Sequence, residues 1–488
     1  MHYWFIWQNR GAMGIFIPDP RTLTMADFAA TIDRIFHITE RGSDVRTEIR
    51  GGIITFFAMS YILAVNPAIL SAATGPELFG QLVTATALAS ALSCLLMGIY
   101  ANFPVALAPG MGINAFLSYT IVMAMGFTYT QALFIVLLSG IIFFLLTVTG
   151  FRIHVLKSIP PVMKLAITAG IGFFIVVLGL FNTGIIVHGE GTALSLGNLS
   201  TPGTNIAIVC IVITLFLWAR DIWAAVPIGM VLTIIIGVIG GAFFDWDTVI
   251  NGSQLVPGVG AAALNDVIAM PDFGLFGQLF ADIGEIPDTL FASLIVSTLS
   301  LVIIDMFDTT GTLLGLGRTA GLSDDEGNMD GYEKALNVDA VATVFGAFAG
   351  TSTVSSFIES STGISVGAKT GLMAIVVGVL FLVAMFFSPV FAFITPACTI
   401  GALFLVGLLM ITSLKEIDWH DHITTATVFV TLFMMGLSGS ITDGIALGTF
   451  TYIICMVATG KIKEIPPMLW VFEIIFLAYF ILTFRFVP

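Results

Sequence analysis

From Gly51 to the C-terminus, apolar runs long enough to cross a bilayer follow one another with only short polar interruptions. A helix needs about 20 residues to span the hydrocarbon core. In lipid every backbone polar group must be satisfied within the protein, so such a chain is confined to packed helices. The sequence therefore reads as an all-α polytopic membrane protein. Its composition agrees: 57% of residues are apolar, 10% are charged, and 50 of 488 are glycine, which excludes a soluble profile. Spans are predicted near 51–74, 81–100, 108–123, 130–150, 162–182, 204–219 and 222–243. A second set is predicted near 287–310, 336–350, 355–370, 371–388, 396–412, 424–439 and 442–459. No signal peptide is evident, because the first long apolar run is followed by many others.

The formal charge of -14 is distributed unevenly. With the N-terminus in the cytoplasm, every Lys and Arg except Arg485 falls in a cytoplasmic segment: Arg10 through Arg50, Arg152, Lys157, Lys164, Arg220, Arg318, Lys334, Lys369, Lys415, Lys461 and Lys463. The external loops carry none, which is the positive-inside pattern. Much of the acid lies in the long external loop 244–286, with Asp245, Asp247, Asp266, Asp272, Asp282 and Glu285. It signals neither nucleic acid nor a basic partner. Arg485 follows a further apolar run, 468–483, which fits a fifteenth span or an interfacial helix. The aromatic patch Tyr3-Trp4-Phe5-Ile6-Trp7 suggests an extension, with Met25 as the first residue, or alternatively an interfacial anchor.

Several features resemble known chemistry and do not carry it. Cys94, Cys210, Cys398 and Cys455 lie in apolar segments without a CxxC pair, as small core hydrophobes. All six histidines fall in loops or termini, so an intramembrane histidine relay is excluded. Asp308-Thr-Thr-Gly-Thr312 resembles a phosphorylation loop but lacks its lysine and any nucleotide domain. Asp418-Trp-His-Asp-His422 reads as a solvated capping turn rather than a metal cluster. His188-Gly-Glu-Gly-Thr192 is an external turn. No metal or cofactor is expected, and no nucleophile–base pair at depth supports an enzyme.

Fourteen spans divide into seven and seven, and an odd number inverts the second half in the membrane. The third segment of each half is interrupted at an equivalent place. In the first half it is Ala106-Leu-Ala-Pro-Gly-Met-Gly-Ile-Asn-Ala-Phe-Leu-Ser118. In the second it is Thr351-Ser-Thr-Val-Ser-Ser-Phe-Ile-Glu-Ser-Ser-Thr-Gly363. Paired interruptions of this kind point to a transporter's binding site near the midplane. Each is expected to run extended and then helical, with half-helix N-termini aimed at a central cavity.

Two carboxylates stand where a membrane protein least tolerates them. Asp305 closes the run Phe291–Ile304, and Glu359 sits in the second interrupted segment. An acid at bilayer depth costs about 2.5–3.5 kcal/mol on insertion scales, so it normally faces a cavity with a function. Asn114 opens one expected half-helix and Glu359 the other. Thr309 lies one turn from Asp305, with Asp308 beside it. Ser360 and Ser361 add hydroxyls, and Phe116, Phe307 and Phe357 add aromatic walls. Such a set suits a small planar molecule with several N–H donors. Lys164 and Lys369 fall only at the ends of predicted spans, and no Lys or Arg falls deeper within one, which weighs against an anion. A carboxylate withdrawn from water holds its proton more tightly, so Asp305 or Glu359 is the expected proton carrier, with sodium as the alternative ion.

The motifs are also similar to those of a family. Gly51-Gly-Ile-Ile-Thr-Phe-Phe-Ala-Met-Ser-Tyr-Ile-Leu-Ala-Val-Asn-Pro67, Ala101–Ala115, Val302-Ile-Ile-Asp-Met-Phe-Asp-Thr-Thr-Gly-Thr-Leu313, and Ala335–Thr343 continuing through Gly350–Gly363 resemble AzgA-like purine permeases. These belong to the nucleobase–cation symporter (nucleobase/ascorbate transporter) superfamily. The resemblance covers about Phe36 to the C-terminus. It implies a 7+7 inverted-repeat, uracil-permease-like fold and import of adenine, guanine or hypoxanthine with protons, with xanthine, uracil or an anion as alternative solutes.

By that resemblance Asp305 and Glu359 match the binding carboxylates, Asn114 matches the polar residue of the third span, and Thr309 falls at a uracil-permease histidine. The implied division is a cytoplasmic segment 1–50, a core domain (51–150 and 287–390), a gate domain (151–243 and 391–459), the external loop 244–286 and a C-terminal hydrophobic helix in 460–488. A homodimer is compatible with the fold, and a multi-pass plasma or inner membrane location follows. The departures are the N-terminal extension, the long acidic loop, and Ser-Ser-Thr after the glutamate.

Overall fold

The structure is a computed structural model that describes residues 25–486 apart from 151, 153–158, 190–193, 223, 251–252, 259–266, 288–289, 323–328 and 392. The proposed extension before Met25 and Asp266 lie outside the described residues. Nine helices among them are long and apolar enough to cross a membrane. They correspond to predicted spans 1, 2, 4, 5, 7, 8, 11, 12 and 14. The other five fall short for visible reasons. Spans 6 (Pro202–Trp218) and 13 (His422–Ser438) are 17-residue helices. Span 9 (Tyr332–Ala349) carries Glu333, Lys334 and Asp339. Spans 3 and 10 are part strand and part helix.

Local sequence sets where these helices start and stop. Asp44 caps the first span, accepting from the amides of Arg46 and Thr47 at 2.9 and 3.0 Å. A Thr128–Gln131 capping box opens the fourth, Tyr129–Val148. Pro161, Pro202 and Pro396 sit at the first position of spans 5, 6 and 12, where the missing amide costs nothing. The first span is two pieces, Val45–Met59 and Ile62–Thr74, with Ser60 and Tyr61 at the joint. Gly350, at φ 92°, turns the chain out of span 9 into the second interruption.

The two interruptions pair with each other. Strand β1 (Leu107–Pro109) runs antiparallel to β2 (Val354–Ser356), with Leu107 opposite Ser356, Ala108 opposite Ser355 and Pro109 opposite Val354. Gly110 N–H to Thr353 O (3.2 Å) and Phe357 N–H to Ala106 O (3.0 Å) extend the ladder at either end. Backbone polar groups at this depth thus find partners in each other, the condition for non-helical chain inside a membrane.

Around this crossing, spans 1, 2, 4, 8 and 9 pack with one another and with span 11 (Gly371–Ala384). Span 5 (Pro161–Asn182) packs instead on span 12 (Pro396–Ile411) and span 13, and span 7 (Ala225–Phe244) packs on span 6. Spans 5 and 12 meet backbone to backbone: a Cβ on Gly172 would lie 2.8 Å from Gly407 O, and one on Gly407 would lie 2.5 Å from Gly172 O. Only glycine permits that approach.

The acidic loop is docked on the helix ends. Gly277 N–H reaches Phe348 O at 2.8 Å, Gln131 Nε2 reaches Asp282 O at 3.2 Å, and Asp272 N–H reaches Thr84 Oγ1 at 3.2 Å. The C-terminal run is one helix, Pro467–Phe486, packed on spans 8 and 14 (Ile441–Ala458).

Candidate functional site

The β1–β2 crossing is where the chemistry collects. The half-helix after β1, Met111–Ala115, continues as wide π-type turns to Ala124; the one after β2 is Ser360–Ser365. Glu359 occupies the N-cap of the second, as expected. Asn114 stands in the first half-helix rather than at its opening. Its carbonyl oxygen accepts the Ser352 hydroxyl, and its amide lies 3.5 Å from Pro109 O. Its polar ends therefore brace the two interruptions together.

Four carboxylates surround the crossing, and they differ in exposure. Glu359 and Asp308 are half-buried, whereas Asp305 and Asp339 are 1% and 0% exposed. The Tyr61 hydroxyl donates to Glu359 Oε1 from the joint in the first span. Asp308 accepts from Ser355 Oγ at 3.1 Å, beside Gly110. A Cβ on Gly110 would lie 2.8 Å from that hydroxyl, so glycine lets the two strands close over Asp308.

Behind the strands lies a second polar layer. Thr343 donates to Asp305 Oδ2 at 2.8 Å, and Thr309 donates to Asp339 Oδ1 at 2.9 Å. Ser356 Oγ reaches the same Asp339 oxygen at 3.4 Å. Asp305 and Thr309 thus share the eighth helix, Phe291–Thr319, with Asp308 but face span 9. Asn66 ties the layer to spans 1 and 2, donating to Thr86 at 2.7 Å and Thr351 at 2.9 Å.

The remaining expected residues divide. The Ser360 hydroxyl accepts Ala106 N–H at 3.0 Å, a clamp on the crossing. Ser361 is half-buried. Phe116 and Phe357 are buried, at 0% and 5% exposure. The side chain of Phe307 lies outside what is described.

Sequence reasoning missed three members. Tyr61 was within reach as a hydroxyl in mid-span, and Asp339 by the same intramembrane-acid rule that singled out Asp305. Arg152 was assigned to a cytoplasmic loop among the inside charges. Its side chain is turned into the protein: it is 1% exposed, and Nη2 donates to Thr310 Oγ1 at 2.9 Å. Its position just past span 4 gave no sign of that inward turn. Among the described residues no His/Cys/Asp/Glu group could hold a metal ion.

The arrangement offers half-buried acceptors, a clamped backbone crossing and a fully buried acidic layer behind it. Acceptors of this kind suit hydrogen-bond donors. Comparison with known proteins gives it a setting. A family model described as "Permease family" matches residues 46–447. The adenine permease AdeQ of Escherichia coli is 38% identical, over 90% of this chain and 93% of that protein. The guanine/hypoxanthine permease PbuG of Bacillus subtilis is 40% identical, over 91% and 98%. Among solved structures, the transmembrane domain of the cyanobacterial bicarbonate transporter BicA superposes with a TM-score of 0.58 at 15% identity, covering 85% of this chain and 97% of that one. Murine SLC26A9 gives 0.53 at 13% identity, covering 91% and 74%. At those identities the likeness is one of fold, and that fold is the 7+7 inverted repeat.

Proposed function

This chain belongs to the Permease family, and on that footing we propose that it imports purine nucleobases together with protons through the β1–β2 crossing. Purine nucleobase transport rests on relatives matched along nearly their whole length, and the protein is a multi-pass membrane protein. The observation that carries the mechanism is the half-buried pair Glu359 and Asp308 at an otherwise buried crossing. A purine presents N–H donors on a flat ring. Glu359, oriented by Tyr61, accepts from one edge, and Asp308 stands beside it. Phe357 and Phe116 shape the walls, with Phe307 on the eighth span. Asn114 and Ser360 keep the strands in register.

Asp305, Asp339 and Thr309 form the layer behind. The proton is carried there or on Glu359, and sodium is the competing ion. Spans 1–4 and 8–11 move as a core against a gate of spans 5–7 and 12–14, opening the site to either side in turn. The N-terminus is cytoplasmic, in the plasma or inner membrane, and a homodimer fits the fold.

The fold neighbours named for bicarbonate and anion transport raise the alternative of an anionic solute. The buried cation, Arg152, bonds Thr310 rather than reaching the strands, which favours a neutral donor-rich ligand. The test is uptake of radiolabelled adenine, guanine and hypoxanthine in cells lacking purine permeases, at pH 5.5 and 8, with and without a protonophore. Accumulation favoured by acid and collapsed by the protonophore is expected. Absence of purine uptake from correctly inserted protein would overturn the reading, and protonophore-insensitive, sodium-dependent uptake would replace the ion.

A further inference from the structure

Arg152 has no part in the mechanism above, yet it is the largest fully buried side chain among the described residues. It lies on the segment joining spans 4 and 5. Its guanidinium carbon sits 4.3 Å from the centroid of the Phe143 ring. Nη2 bonds Thr310, while Nε and Nη1 have no hydrogen-bond partner among the described residues. Thr310 adjoins Thr309, which bonds Asp339.

The two fully buried carboxylates at the crossing are half-satisfied in the same way. Asp305 Oδ1 and Asp339 Oδ2 lack partners among the described residues, though each acid's other oxygen is bonded. The adjacent Thr310 and Thr309 thus bond the guanidinium and Asp339 respectively, at 2.9 Å each. A buried charge without compensation is costly, and a buried cation near acids is the usual remedy. No direct ion pair is made: the salt bridges among the described residues are His37–Glu40 and Arg41–Asp330, both elsewhere.

We propose that Arg152 is the internal counter-ion of the Asp305–Asp339 pair and sets how readily that pair releases a proton during transport. This rests on the proton-coupled reading given above. The charge states follow from simple counting. With one carboxyl protonated, the trio is neutral; with both ionised, it carries one negative charge. Without Arg152 each state is one charge more negative in a dry environment, so release of the proton to cytoplasmic water is impeded. The guanidinium keeps its own proton throughout. The other titratable groups facing the pair are Asp308 on the same helix and Tyr332 on span 9. Glu359, bonded by Tyr61, caps the half-helix that follows the second strand. Arg152 does not touch substrate and is a positioning residue.

The experiment compares wild type, Arg152→Gln, Arg152→Lys, Asp339→Asn and the double variant R152Q/D339N in two readouts. The first is thermal denaturation of purified protein in detergent, which needs no transport. Each single neutral variant lowers the midpoint, and the double variant loses less than the two losses added together, because the lost cation then has one acid fewer to compensate. The second is adenine uptake from pH 5.5 to 8. R152Q falls about tenfold with its pH profile displaced by about one unit, and R152K recovers the wild-type profile.

Additive thermal losses, an unmoved profile in R152Q, or an R152K no better than R152Q would each overturn the proposal. Wild-type uptake indifferent to pH and protonophore would instead sink the coupling reading. The thermal cycle would still decide whether Arg152 compensates the acids.

Discussion

Replacing Tyr61 by Phe isolates one hydrogen bond at the site. The ring is 2% exposed and sits at the joint between the two pieces of the first span. Phenylalanine fills the same space, so insertion and packing are preserved. What disappears is the hydroxyl that donates to Glu359 Oε1. Hydrogen bonds to a charged partner contribute about 1.5–3 kcal/mol, and each 1.4 kcal/mol is a factor of about ten. If orienting Glu359 matters to substrate capture, the ratio of maximal uptake rate to half-saturating concentration should fall roughly 10- to 100-fold. The assay is the initial rate of radiolabelled adenine uptake over a concentration series, normalised to protein at the membrane. Half-saturation should rise more than the maximal rate falls. A Tyr61→Phe protein with wild-type uptake, beside an inactive Glu359→Gln, would refute the idea that Tyr61 aims the carboxylate.

Glu359→Gln should nearly abolish uptake while leaving membrane insertion intact, and Asp305→Asn should do the same or erase the pH dependence. Normal transport by both, measured by the same uptake assay, would remove the site assignment. Ser360→Ala takes away the acceptor of the buried Ala106 amide. An orphaned buried donor costs about 1–3 kcal/mol, so the thermal midpoint in detergent should drop even with substrate present. Gly407→Ala places a methyl against Gly172 O. Overpacking costs about 1–3 kcal/mol, and the stability loss should shrink when purification uses a milder detergent.

The sequence carried the spans because apolar length is a direct physical requirement of the bilayer. Even the five segments too short or too polar to qualify by length and hydropathy stood out by position. The paired interruptions at Ala106–Ser118 and Thr351–Gly363 were legible through proline, glycine and β-prone residues. Their pairing with each other was not, because hydrogen bonding between segments so far apart leaves no local signature. Asp305 and Glu359 were found by the cost of their charge. Their different environments depend on which face of the eighth helix meets span 9, and apolar residues on every side of that helix hide it. The burial of Arg152 was not legible because sidedness rules count a charge by its neighbours in the chain, and a long side chain can turn back into the protein.

The pairing of β1 with β2 has a consequence for how the protein is made. Ala106 donates its amide to Ser360, which is synthesised 254 residues later. At about 5–20 residues per second, roughly 13–50 s pass in which the first half has emerged with its mid-membrane backbone still unpaired. During that interval the newly inserted half must be shielded from lipid by the insertion machinery or by its own helices. A chain stalled between the halves would leave unpaired amides at membrane depth.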